Sequence, residues 1–359
     1  MPISRRHPFT AARSGAARSG AARPGAVRPA RLAAALTIPA AVLLLAGCAT
    51  PTAASTGGAD PSAEAAASAY PITIDNCGTE VTLDAAPERV LTIKSSTLEL
   101  MLALGLADRV IGSAFSDGPV PDELADAASG IEVVSDKVPS QEATLALEPD
   151  LVFAGWESNL SAEGAGERSD LAKLGVATYV APAACKAEGY MPDPLTFDEV
   201  FREFGEAGDL FGVPDAAADL VAEQQAELDA IEPNDDGLTA LWYSSGDETP
   251  YVGAGIGAPQ MIMGTAGLDN IAKDVHDTWT SMSWEAIVDA NPDVIVLVDA
   301  AWNTADQKIA QLEANPATAE LPAVKGQRYV VLDFPSTEAG VRNVGAVAST
   351  VEQLGALGL

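Results

Sequence analysis

Histidine is almost missing from this chain of 359 residues: His7 and His276 are the only two. That leaves little room for a zinc or haem site built on imidazole, and none for a Ser/His/Asp triad. Bases are scarce too. The 20 Lys and Arg face 51 Asp and Glu, and seven of those bases (Arg5, Arg6, Arg13, Arg18, Arg23, Arg28 and Arg31) fall in residues 1–47, which hold no acid. The other 13 bases stand against all 51 acids, a surface that repels phosphate backbones and excludes nucleic acid as a partner. Long apolar runs are absent as well. Residues 32–45 fall short of the roughly 20 apolar residues of a membrane-spanning helix, and the run at 294–298 is stopped by Asp299. Neither H-E-x-x-H nor G-x-S-x-G occurs, so among exported enzymes only the paired acids of glycoside chemistry survive. What is present is a globular mixture, 48% hydrophobic and 20% charged, long enough for one large domain or two of ordinary size.

The N-terminus has a readable order: an Arg-rich start, the apolar run at 32–45, then Leu45-Ala46-Gly47-Cys48. The last four residues resemble the bacterial lipobox. That implies a signal peptide over 1–47 and a diacylated Cys48 that anchors the mature chain outside the cell membrane. Ser4-Arg5-Arg6 is faintly similar to a twin-arginine signal, so the export route, Sec or twin-arginine, stays open. Residues 48–69 carry no large apolar side chain and are expected to form a flexible tether spanning roughly 25 Å. Beyond it only Cys77 and Cys185 are left. An oxidising compartment favours their disulfide, which would stabilise by about 4–5 kcal/mol, over two separate thiols.

From Tyr70 onward short β-type runs alternate with helical stretches, the pattern of parallel α/β structure. Strands are expected at Val90–Ile93, 110–112, Leu151–Ala154 and 178–180, and again at 239–243, 294–298 and 329–332. Helices are expected at 98–104, 141–147, Trp284–Ala290 and 308–313. Ser140-Gln-Glu-Ala and its following Pro149-Asp150 match Ser283-Trp-Glu-Ala and Pro292-Asp293 at a constant offset of 143. In each copy Ser can cap a helix, Glu sits in its first turn, and Pro-Asp leads into a buried strand. Two similar lobes follow: 70–196 at the N-terminal side and 238–359 at the C-terminal side. Residues 197–237 form a helical connection, interrupted at Gly212-Val213-Pro214, that would hold a cleft between them. Ligands of α/β sheets sit beyond the carboxyl ends of the strands, which here would face that cleft.

Several stretches now add up. The lipobox, Ile72-Thr73-Ile74-Asp75-Asn76-Cys77-Gly78, Pro87-Glu88-Arg89-Val90, both Glu-x6-Pro-Asp units and Leu321-Pro322-Ala323-Val324-Lys325 resemble helix-hinged (class III) substrate-binding proteins of ABC importers, which serve iron–siderophore and vitamin B12 uptake. The resemblance implies two Rossmann-like lobes joined by a long connecting helix. It also implies a monomer without cofactor or enzymatic activity that hands a solute to a permease with its ATPase. In relatives one glutamate per lobe meets permease arginines, and the matching positions are Glu142 and Glu285; each would otherwise merely complement a helix dipole. Tyr251-Val-Gly-Ala-Gly-Ile-Gly-Ala-Pro-Gln260, Trp279 and Asp299-Ala-Ala-Trp302-Asn303 are similar to a subgroup thought to carry a precursor of the deazaflavin coenzyme F420. A ferric siderophore or a corrinoid is the alternative. A sensor or adhesion module would share the composition but lack a neighbouring permease.

Candidate cleft residues follow from position. Lys94-Ser95-Ser96 stands where a strand gives way to a helix, which makes an anion site or an ordinary cap beside a solvated Lys. Trp156 and Trp302 follow corresponding strands and suit stacking on a flat ring, or plain packing between lobes. Tyr243, Tyr251 and Trp279 are weaker candidates of that kind. Arg342 follows the last strand and could pair with a carboxylate or phosphate, or lie on the surface. The Gly253-x-Gly255-x-Gly257 spacing does not fit a dinucleotide fingerprint and reads as a mobile or close-contact loop.

Overall fold

The computed structural model describes residues 70–359; the stretches expected as a signal peptide (1–47) and as a tether (48–69), with Cys48, lie outside the described residues. The chain opens with an antiparallel hairpin, β1 (Ile72–Asn76) and β2 (Thr79–Leu83). Its two-residue turn, Cys77-Gly78, holds both residues at positive φ (52° and 76°), the handedness that matches the twist of the flanking strands. Cys77 is disulfide-bonded to Cys185, so the hairpin is tied to the chain just beyond the first sheet.

That sheet is built from β3 (Val90–Ile93), α1 (Ser95–Ala103), β4 (Val110–Ala114), α2 (Asp122–Ala128), β5 (Val133–Ser135), α3 (Gln141–Ala146), β6 (Leu151–Ala154), α4 (Arg168–Lys173) and β7 (Ala177–Val180). The strands are all parallel in the order β5-β4-β3-β6-β7. Parallel strands covered on both faces need continuous apolar runs, and β3 and β6 are buried at every residue.

The connection departs from a single long helix. Thr196 and Glu199 form a reciprocal capping box that starts α5 (Phe197–Phe211). Gly212, left-handed at φ 70°, ends it, and Pro214 opens α6 (Pro214–Asp229). The two helices fold back on each other: a Cβ on Gly208 would come within 2.3 Å of the Ala217 Cβ. Phe211, at one end of α5, packs against Phe153 of β6, while Phe197, at the other, shares a surface depression with Leu228 and Met261. The helical hairpin thus runs from one lobe to the other and returns.

The second lobe contains β8 (Thr239–Ser245), β9 (Tyr251–Gly253), α7 (Ala258–Thr265), β10 (Asp269–Asn270), β11 (Trp279–Ser281), α8 (Trp284–Ala290), β12 (Val294–Asp299), α9 (Ala305–Ala314), α10 (Pro322–Lys325), β13 (Tyr329–Asp333) and α11 (Asn343–Leu357). Its sheet has the order β11-β9-β8-β12-β13, with β10 also on β8; β9 is antiparallel to β8 and β11. The loop expected at 253–257 starts at the last residue of strand β9, and its glycines are there for close contact. A Cβ on Gly255 would lie 2.0 Å from the Lys273 carbonyl oxygen.

The duplicated motif has one structural meaning in both lobes. The Asp150 carboxylate accepts the Glu88 and Arg89 N–H groups at 2.8 and 3.0 Å, fixing the entry to β3. The Asp293 carboxylate accepts the Thr239 N–H and hydroxyl at 3.0 and 2.8 Å, fixing the entry to β8. Leu151 then pairs with Val90, and Val294 with Ala240.

Two measurements follow. Removing the disulfide as Cys77→Ala with Cys185→Ala should cost about 2–5 kcal/mol in urea unfolding, since it closes a separation of 108 residues. On α5, burial raises the Glu203 carboxyl to about 8, with the Ala183 N–H, at 3.4 Å, as its one hydrogen-bond donor among the described residues. A raised carboxyl pKa means that the folded state holds the proton more tightly, so stability falls as pH rises from the ordinary carboxylate range toward about 8. Glu203→Gln should match the parent near pH 4.5 and exceed it by a few kcal/mol, on the order of 2–4, at pH 8.

Candidate functional site

Strand direction decides where a site can form. The segments leaving β3, β6, β8, β12 and β13 at their carboxyl ends converge with the stretch after β7 on a cavity of 490 Å³ between the two sheets. Five aromatic rings stand in a wall otherwise made mostly of small residues. Trp156 comes from the first lobe, while Tyr251, Trp279, Trp302 and Phe334 come from the second. Tyr251 and Trp279 lie parallel, 5.9 Å apart at 13°. Trp156 meets Phe115 edge-on at 5.7 Å, and Trp302 meets Phe334 edge-on at 6.0 Å.

Trp302 is 60% exposed on a loop that is nonetheless built. The Asp299 carboxylate accepts the Ala305 N–H at 2.7 Å, and buried Lys308 donates to the carbonyls of Val298 and Asn303. Desolvation lowers the Lys308 pKa to about 8. Sequence reading placed Lys308 only as a helix residue.

Of the residues singled out from sequence, Trp156, Tyr251, Trp279 and Trp302 line the cavity together. Lys94, Ser95, Tyr243 and Arg342 do not. Lys94 sits behind the wall, 1% exposed and at φ 89°, in an ion pair with Asp117 and 3.6 Å above the Trp156 ring. The Asp117 carboxylate also accepts the Ser95 N–H at 3.3 Å, while the Asp117 N–H donates to the Ser95 hydroxyl at 2.9 Å. The anion cradle expected at Lys94-Ser95 is therefore real, but its anion is internal. Arg342 is likewise engaged. It donates to Glu99 (2.8 Å) and the Pro119 carbonyl (2.7 Å) from the first lobe and to Asp333 (2.8 Å) from the second, with its side chain 13% exposed. Burial pushes the carboxyls of Asp117 and Glu99 up, against the pull of Lys94 and Arg342 respectively. Tyr243 faces away, packed on Trp284 with its hydroxyl donating to Gly246 O, and burial raises it to about 12.

Apart from Ser96 of the Lys94-Ser95-Ser96 stretch, the polar groups of the cavity were missed. Glu338 accepts the Trp156 indole N–H at 2.9 Å, a bond between lobes, and its carboxyl is pushed up by burial. Glu157 accepts the Lys186 backbone N–H at 2.6 Å, and the Lys186 ammonium holds the Thr278 hydroxyl at 2.7 Å and Asp277 at 3.5 Å. The strand-end rule that selected Trp156 would have selected Glu338, which follows β13.

Glu142 and Glu285 are both exposed in the first turns of α3 and α8, whose caps Ser140 and Ser283 accept the N–H groups of Ala143 and Ala286. Gln141 packs near Gly166, beyond the carboxyl end of β6, and Trp284 donates to Asp247 O, beyond that of β8. Both helix starts thus stand at the same ends of the sheets as the cavity.

A family model described as periplasmic binding protein matches residues 90–335. The chain belongs to that family. A Bacillus subtilis protein named as an uncharacterized ABC transporter substrate-binding lipoprotein, YvrC, is 28% identical over 322 residues, covering 88% of this chain and 94% of that one. The cobalamin-binding protein of Halobacterium salinarum is 33% identical over 245 residues, 64% of this chain and 59% of that one. Among solved structures, an ABC-type Fe3+-hydroxamate transport system from Saccharomonospora viridis is similar at a TM-score of 0.68 and 26% identity, over 80% of this chain and 99% of that one. All three names are those of binding or transport components, none that of an enzyme. The α/β fold with two lobes and parallel sheets is the one these structures share.

The interlobe ion pair can be tested directly. Arg342→Ala leaves the Glu99 carboxyl buried without its partner and should cost about 3–5 kcal/mol in chemical unfolding. Adding Glu99→Gln should recover a substantial part of that loss, the non-additivity measuring the pair.

Proposed function

We propose that this binding protein is the extracytoplasmic solute-capturing component of an ABC importer, holding a large ring-bearing ligand between its lobes and presenting it to a permease. The observation that carries this reading is the 490 Å³ aromatic cavity formed where the carboxyl ends of both sheets converge. Family membership and the names of the Bacillus and Halobacterium relatives support it. Anchoring through a lipidated Cys48 belongs to the same proposal, supported by the lipobox resemblance and by the lipoprotein name of the Bacillus relative.

For the ligand, the deazaflavin precursor rested on the resemblance of the stretches at 251–260, Trp279 and 299–303, and the relatives' names do not support it. A phosphate would also call for a free base, and Lys94 and Arg342 are each paired inside the protein. A corrinoid or ferric siderophore asks chiefly for aromatic walls, and these are the solutes named for the Halobacterium protein and the Saccharomonospora system. Glu142 and Glu285 are the proposed docking carboxylates: exposed, one per lobe, at the cavity ends of the sheets.

Titration calorimetry with cyanocobalamin and with a ferric trihydroxamate should yield binding at micromolar dissociation constant or tighter, roughly −8 kcal/mol, for one of them. Heat of dilution alone for both, and for other ring-bearing chelates, would remove the solute class. Glu142→Arg with Glu285→Arg should leave that affinity within about twofold, yet abolish uptake in cells carrying the cognate permease. Undiminished uptake by the double variant would refute the docking assignment.

A further inference from the structure

We infer that the cavity selects its solute by charge: it takes a neutral or cationic ring system fringed with hydrogen-bond donors and refuses an anionic one, with Glu338 as the carboxyl that reads that fringe. This rests on the reading of the cavity as a solute site.

The inventory of charge facing the cavity is short. Glu157 and Glu338 are its carboxylates, and Lys186 is its one base among the described residues. Lys186 is already held by Asp277 and Thr278 from the opposite lobe. The bases behind the wall are equally committed, Lys94 to Asp117 and Arg342 to Glu99 and Asp333. The acids are not. Among the described residues, the only hydrogen bond to the Glu338 carboxyl is the Trp156 indole N–H on Oε2, which leaves Oε1 free. Glu157 likewise spends one oxygen on the Lys186 N–H. A carboxylate offers about four acceptor positions, so each retains capacity that only a donor can fill. An amide or ammonium on the ligand edge meets that need; a carboxylate or phosphate brought there meets like charge beside apolar aromatic faces, where screening is weaker than in bulk water.

The decisive comparison changes charge on the ligand edge. The protein is titrated with cyanocobalamin against its monocarboxylate, in which one peripheral amide is hydrolysed, and with ferrioxamine B, which carries one ammonium, against its N-succinyl derivative, with the neutral N-acetyl derivative controlling for acylation of the amine. In whichever pair binds, the carboxylate-bearing member should bind at least about tenfold more weakly. Glu338→Gln keeps an acceptor for the Trp156 indole, so the fold is retained, and should weaken the preferred member by about tenfold while narrowing the gap within its pair. Equal or tighter binding of the carboxylate member, or an unchanged affinity in Glu338→Gln, would overturn the charge selection and leave the solute site standing. Binding of neither pair, nor of other ring-bearing chelates and their carboxylate derivatives, would overturn both together.

Discussion

A charge taken out of water must find a counter-charge, and in this protein it finds one inside the chain. Lys94 reaches Asp117 beneath the Trp156 ring, and Arg342 reaches Glu99. Burial works against both carboxylates and the bases work for them, so neither half of a pair is tolerable without the other. The same pairs set the shape of the cavity. Lys94 backs its tryptophan wall, and Arg342 holds Glu99 and Pro119 of one lobe against Asp333 of the other. A wall neutralised from within has no spare cation to offer a solute, whatever the overall charge of the protein.

The second organising feature is the geometry of a strand that follows a helix. In a parallel α/β layer each helix runs back against the strands, so helix starts and strand carboxyl ends share one edge of the sheet. Here that edge carries the aromatic cavity in the middle and an exposed glutamate near each side, at Glu142 and Glu285. The Pro-Asp units make the arrangement reproducible. Asp150 and Asp293 each clamp the backbone entering a central strand, and each precedes the strand that pairs with it. The capture and docking proposed for this edge thus need no separate invention in the second lobe.

What could be read in advance divides along the same physical lines. Central strands such as Val90–Ile93 and Leu151–Ala154 are apolar on both faces, and that burial is written in consecutive residues. Strands β5, β9, β10 and β11 are two or three residues long and owe their conformation to a neighbour rather than to their own pattern. The interruption at Gly212 was visible, but the fold-back depends on Gly208 lying against Ala217, a contact that spacing does not announce. At the site, position after a strand was enough to find Trp156 and Trp302. Position and charge together found Lys94 and Arg342 but could not find their partners; Arg342 and Glu99 are 243 residues apart. A long-range ion pair turns two candidate ligand contacts into wall, and only the fold reveals which bases it has claimed.

The connection between lobes bears on how a solute is met. One cluster of buried side chains runs from Phe153 and Tyr179 in the first lobe, through Phe201 and Phe204 of α5, to Trp242 and Val347 in the second. Cores are packed too densely to deform continuously, so a wide swing of one lobe on the other would shear this cluster as well as break the Arg342 and Glu338 contacts. The cavity is therefore offered largely formed. Its aromatic rings are already set edge-on or parallel to one another, so little side-chain freedom is lost when a flat ligand enters. Affinity then comes from preorganised apolar faces, and discrimination is left to the few polar atoms on the rim that still lack a partner, foremost the free oxygen of Glu338.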